Sequence, residues 1–257
     1  MIEWHVKFSE KLKGTGVSAI FGAAQGVIGI LACALAILSG TVVAAADSSP
    51  VAASRVVSVK NTESLAAAIQ NARPGDEIIL SPGTYEPGRL RLNASGTEQQ
   101  PIVLRAARRG EVVIRSTAVE TFVIAGAYWI VEGLDIQGTC QPQEMCEHAF
   151  HIVGDADNVI IRNNRARDFN ATIKSNGMDD VRQYGSAASG KARVFPDNVL
   201  ISGNYFFNTT ARPTTAPVTL MDVVGGKNWV IRENLVADFE KSEGNLTSYA
   251  LFLKGNS

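Results

Sequence analysis

His148 and His151 lie three residues apart, on a stretch that alternates with the apolar Phe150 and Ile152. Histidine titrates near neutrality, so such a pair can give and take protons or hold a polar ligand. Alternation puts His151 on the face opposite Phe150, an outward face, and both rings are candidates for touching a substrate. Asp179 and Asp180 stand together in a polar loop, and Asp222 lies in a later apolar run. Carboxylates of this kind bind polar ligands or a hard cation such as calcium. Arg212, in a Thr-rich segment, can grip a carboxylate with its planar fork. Each has a plainer reading: His151 on a solvated face, Asp179 and Asp180 as a solvated acidic pair, Arg212 as an ion pair or loop anchor. Cys140 and Cys146 have five residues between them in a polar loop. In an oxidising compartment they can close a small disulfide ring; otherwise they are two free thiols. With His148 alone beside them they make an incomplete zinc set.

These residues must be held by short strands. Asn61 or Thr62 caps a helix carrying Leu65, Ala68, Ile69 and Ala72 on one face, stopped by Pro74 and Gly75. Beyond it the chain reads almost entirely as strands separated by turn residues. Val56–Val59, Glu77–Leu80, Pro101–Ala106 and Glu111–Ile114 come first. A seven-residue template then recurs: residues 158–164, 198–204 and 228–234 each begin and end with Asn and carry Ile fourth, and residues 128–134 fit without the asparagines. The starts are 30, 40 and 30 residues apart. A fixed period of short strands marks a solenoid, and a period near 30 without helices between strands points to a parallel β-helix. Asn tolerates left-handed backbone at a tight corner. Stacked in successive coils, Asn164, Asn204 and Asn234 would hydrogen-bond in a ladder, while Val159, Ile161, Val199, Ile201, Trp229 and Ile231 fill the core. The competing architecture is a β-sandwich with coincidental repeats. The long coil owes its extra ten residues to a polar segment, residues 177–194, which reads as a protruding loop of the kind that builds binding sites.

The first 46 residues differ. Lys7, Lys11 and Lys13 precede an uncharged stretch over residues 17–38, followed by Ala44, Ala45 and Ala46 before Asp47. This is the pattern of a cleaved export signal, and the same 22 residues are long enough to span a bilayer if uncut. The division expected is 1–46 signal or membrane anchor, 47–55 linker and 56–257 an all-β, right-handed parallel β-helix domain. The protein is then periplasmic or extracellular. The last strand, from Ala250, begins a coil whose second half is missing, so the domain is expected to be C-terminally incomplete. With 24 basic and 25 acidic residues, net charge is -1, and no field attracts nucleic acid. The oligomeric state is not legible.

The run from Ser64 to Tyr85, then Gly96-Thr97, Pro101–Ala106 and Val131–Leu134, resembles the N-terminal cap and first coils of the chondroitinase B and alginate lyase group of polysaccharide lyases. The resemblance spans about Val56 to Gly138; later coils match only as generic β-helix. It implies β-elimination on an acidic polysaccharide, with the uronate charge neutralised, often by calcium, and a base taking the C5 proton. Residues 171–176 resemble the strand bearing the family's catalytic lysine, which makes Lys174 the base candidate. Asn170 stands where the family has an acidic calcium ligand; with Asp222 it is the metal-ligand candidate. The family's arginine would fall on Val218–Val224, which has none, and Arg212 is the nearest substitute. Asp179, Asp180 and His148 would contact substrate. The alternatives are a non-catalytic glycan-binding or surface protein, and an inactive fragment.

Overall fold

The computed structural model describes residues 4–8, 55–178, 194–242, 244 and 248–254. The proposed signal and linker therefore fall mostly outside the described residues, as do Asp179 and Asp180. Among the described residues, no helix is long and apolar enough to cross a membrane.

The body is a right-handed parallel β-helix, whose coils contribute strands to three sheets in turn. Sheet one stacks Val56–Val59, Glu77–Leu80, Ile102–Ala106, Trp129–Glu132, Ile160–Arg162, Leu200–Ser202 and the first half of Val230–Ala237. Sheet two stacks Gly83–Tyr85, Val112–Ser116, Asp135–Gly138, Arg165–Arg167, Tyr205–Phe207 and the second half of Val230–Ala237, which runs through both sheets as one strand. Sheet three stacks Leu90–Leu92, Glu120–Ile124, His148–Val153, Ala171–Asn176, Val218–Val224 and Ser248–Lys254. Every pairing between these strands is parallel. The backbone of Trp4–Phe8 also runs parallel to Val230–Ala237, with Trp4 opposite Ile231 and Phe8 opposite Val236.

The register explains the repeat. Ile130, Ile160, Leu200 and Val230 lie opposite one another on consecutive coils. Their neighbours Val131, Ile161, Ile201 and Ile231 point inward and are buried. Phe122 stacks on Phe150 in the same core, ring centroids 5.7 Å apart. The helix Thr62–Gln70 is capped by Asn61, whose side chain accepts from the Ser64 amide, and it buries Leu65 and Ile69 against the first coil.

At the corner between sheets one and two, Asn164, Asn204 and Asn234 form a column with no surface exposed beyond 2%. Asn164 Nδ2 donates to Asn204 Oδ1 at 3.2 Å, and Asn204 Nδ2 donates to Asn234 Oδ1 at 2.9 Å. Each Oδ1 also accepts a backbone amide of the preceding coil, and each Nδ2 reaches a backbone carbonyl there. The column thus satisfies the backbone groups that a sharp corner orphans. The left-handed backbone lies elsewhere than on these residues. It occupies the first template position, at Tyr128, Asn158, Asn198 and Asn228, and the sixth, at Gly133, Asn163, Gly203 and Glu233.

Candidate functional site

Sheet three gathers most of the candidate side chains. His151, Lys174 and Asp222 lie opposite one another on three consecutive coils, because the parallel register pairs His151 with Lys174 and Lys174 with Asp222. Lys174 Nζ donates to Asp222 Oδ2 at 2.5 Å, and both side chains are mostly shielded. As placed, the Lys174 amino group is committed to a carboxylate of the next coil.

His151 stands on the face opposite Phe150, but it is not exposed: only 9% of it meets solvent. Its Nδ1 meets Glu120 Oε1 at 2.6 Å and its Nε2 meets the Asn176 side-chain amide at 2.9 Å. Neighbouring coils on either side supply those partners, so an outward position on the strand became a buried one. The His151 hydrogen bond holds the Glu120 carboxyl below its ordinary range, against the opposing effect of burial. Arg89 reaches the same carboxylate at 3.3 Å.

His148 packs against His151, ring centroids 5.6 Å apart. Its Nδ1 lies 2.6 Å from the carbonyl oxygen of Ala171, which can only accept. Nδ1 therefore carries the proton. Burial is the largest influence on this ring and pushes its pKa down to about 4, helped by the charges of His151 and Lys174 and opposed by the Ala171 hydrogen bond and Glu120. At neutral pH the imidazole is uncharged and Nε2 bears the lone pair.

Arg212 lies apart from this cluster. It is 2% exposed, which no Thr-rich loop advertises. Its Nε donates to Asn170 Oδ1 at 3.1 Å and its Nη2 to the Gln143 carbonyl at 2.5 Å. Burial lowers its pKa from the ordinary arginine value, while Asp168 and Glu147 act the other way. Asn170 is fully buried, and its Nδ2 donates to the Glu144 carbonyl at 2.7 Å and to Glu147 Oε1 at 3.0 Å. Arg212 is thus an anchor between coils and has no free fork for a substrate carboxylate.

The same contacts test the implied calcium. Asn170 Oδ1, the proposed ligand atom, is taken by a guanidinium, and Asp222 is taken by Lys174, which three strand residues separate from Asn170. Among the described residues, no group of three or more His, Cys, Asp or Glu could hold a metal ion. Asn170 and Asp222 do not form a calcium site.

Cys140 and Cys146 are joined in a disulfide, with Cα atoms 5.4 Å apart. It ties off the loop that carries Gln143 and Glu144 to Arg212 and Asn170. Met178 and Val194 form an antiparallel bridge where the long insertion leaves the coil.

Glu120 is the member of this cluster that the sequence hid. It lies opposite His148 one coil earlier, but that coil lacks the asparagine template that would have fixed its register.

Comparison with known proteins agrees with this picture. Residues 59–173 match the model of the Chondroitinase B family. Pectate lyase L of Dickeya chrysanthemi is 31% identical over 88 residues, covering 28% of this chain and 21% of that protein. The chain therefore spans about a fifth of the relative it matches. Among solved structures, an alginate lyase from Paenibacillus sp. str. FPU-7 superposes with a TM-score of 0.43 at 21% identity, covering 71% of this chain and 76% of that one. A PL6 family polysaccharide lyase from Pseudopedobacter saltans gives 0.41 at 18% identity, covering 70% and 46%.

Proposed function

From a right-handed parallel β-helix that resembles the chondroitinase B and alginate lyase group of polysaccharide lyases, we propose that this chain acts on an acidic polysaccharide by β-elimination, at the outer face of sheet three. The observation that carries the reading is the line of His151, Lys174 and Asp222 across three coils; His151 lies in the stretch that matches the Chondroitinase B family, while Lys174 and Asp222 lie beyond its end.

The chemistry asks for two things: positive charge against the uronate carboxylate, so that the C5 carbanion is stabilised, and an acceptor for the C5 proton. As the C4–O bond breaks, its electrons leave with the departing oxygen and a C4=C5 double bond remains. Lys174 has the charge, and its partner Asp222 fixes where that charge sits. His148 has the lone pair: its proton is committed to the Ala171 carbonyl, which leaves Nε2 to accept one. Glu120 orients His151 beside it. Export to the periplasm or the extracellular space is part of the same proposal, since such a substrate lies outside the cell.

The test is release of products absorbing in the ultraviolet from alginate, chondroitin sulfate and pectate. Wild-type protein is expected to release them from at least one, and Lys174→Met to release them about a hundredfold more slowly or less. Retention of a glycan without turnover, unchanged by Lys174→Met, would instead establish a binding protein.

A further inference from the structure

Arg212 is among the largest fully buried side chains of the domain, and a buried guanidinium needs a reason. It sits among oxygens contributed by two other segments. Asn170 Oδ1 precedes the strand that carries Lys174, and the Gln143 carbonyl belongs to the disulfide loop. Glu147 and Asp168 supply negative charge nearby. The Arg212 backbone is fixed as well: its amide donates to the Glu240 carbonyl at 2.8 Å, and its own carbonyl accepts from Thr214 and Ser242. Amide oxygen, backbone carbonyl and neighbouring carboxylate are the oxygen types that surround a bound calcium ion. Here those oxygens meet a guanidinium of the protein itself.

We propose that Arg212 is a built-in cation: its guanidinium replaces a metal ion in ordering the segments around Asn170, so the fold and its sheet-three cluster are independent of calcium. The planar fork suits the task, since Nε and Nη2 reach the two acceptors at once, which a lysine could not do. The inference does not depend on which glycan the protein takes, or on whether it turns one over.

The experiment is thermal unfolding of the full chain with excess calcium chloride or with EDTA, for wild type, Arg212→Ala and Arg212→Lys. Wild type is expected to unfold at the same temperature in both. Arg212→Ala should lose about 5–10 °C, because the buried Asn170 Oδ1 loses the guanidinium that donates to it and the Gln143 carbonyl keeps only the Cys146 amide. Low, non-denaturing guanidinium should return part of that loss to Arg212→Ala and nothing to wild type. Arg212→Lys should fall between the two. Calcium-dependent stabilisation of wild type would overturn the proposal, and so would an Arg212→Ala variant as stable as wild type. Should Arg212→Ala fail to fold, the wild-type comparison and Arg212→Lys still decide it, because a lysine variant as stable as wild type would remove the case for the fork.

Discussion

Lys174 and Asp222 meet across adjacent coils at 2.5 Å, opposite one another on the two strands, so the lysine that family resemblance marks as a base is held in an ion pair. A pair this shielded is sensitive to loss of either partner, because the survivor is left with an uncompensated charge. A double-mutant cycle of Lys174→Met and Asp222→Asn, read by chemical denaturation, should give a coupling of about 1–3 kcal/mol. In a lyase assay, Lys174→Met alone should lower turnover about a hundredfold or more, as expected for removing a charge aimed at a developing anion. Activity unchanged in that variant would remove Lys174 from the mechanism.

His148 makes stability depend on pH in a definite direction. Its pKa in the fold is about 4, below the ordinary 6.5, so the unfolded chain binds this proton more readily. The contribution is complete above pH 6.5 and drains away as the pH falls towards 4. Full burial would make the loss larger; with the ring part-exposed it should be on the order of 2 kcal/mol. His148→Gln should flatten the profile across that window. Glu120, whose pKa is lowered, acts further down: its contribution is present above its unfolded value and is lost as the pH falls through the folded one. The two effects are therefore separable by denaturation at pH 7, 5 and 3.

Asn204 is the middle member of its column and should be the least replaceable. Asn204→Ala strands the Asn164 amide and the Ile161 carbonyl in the interior, and takes from Asn234 Oδ1 one of its two donors. The expected cost is about 2–4 kcal/mol in urea unfolding, and a value under 1 kcal/mol would show that water can take its place.

Glu233 adopts φ 58°, a left-handed conformation that side chains other than Asn, Asp and Gly resist. The equivalent residues one and two coils earlier are Gly203 and Asn163. Glu233→Asn should therefore stabilise the protein by about 0.5–1 kcal/mol, measured by the same unfolding.

The repeat made the strands and their inward residues legible, because Val159, Ile161, Val199 and Ile201 alternate with polar neighbours and recur at coil spacing. It also marked Asn164, Asn204 and Asn234, though their left-handed geometry belongs to the residues before them. What stayed hidden was contact between loops. Arg212 was readable as an ion pair or loop anchor, but not its partner: its guanidinium reaches the carbonyl of Gln143, 69 residues earlier. His151 was readable as outward-facing but not as covered, since its partners Glu120 and Asn176 come from the coils on either side. Period and alternation describe one coil at a time; they carry no information about how corners of different coils close over one another.

The bridge between Met178 and Val194 has a practical meaning. The two ends of the insertion leave and rejoin the coil side by side, while the strand pairings around it continue, Ile161 against Ile201 and Ile173 against Met221. Whatever is spliced between those residues only needs ends that meet as Met178 and Val194 do. The position is a natural socket, at which peptides or whole small domains could be mounted on the β-helix without re-registering a single coil.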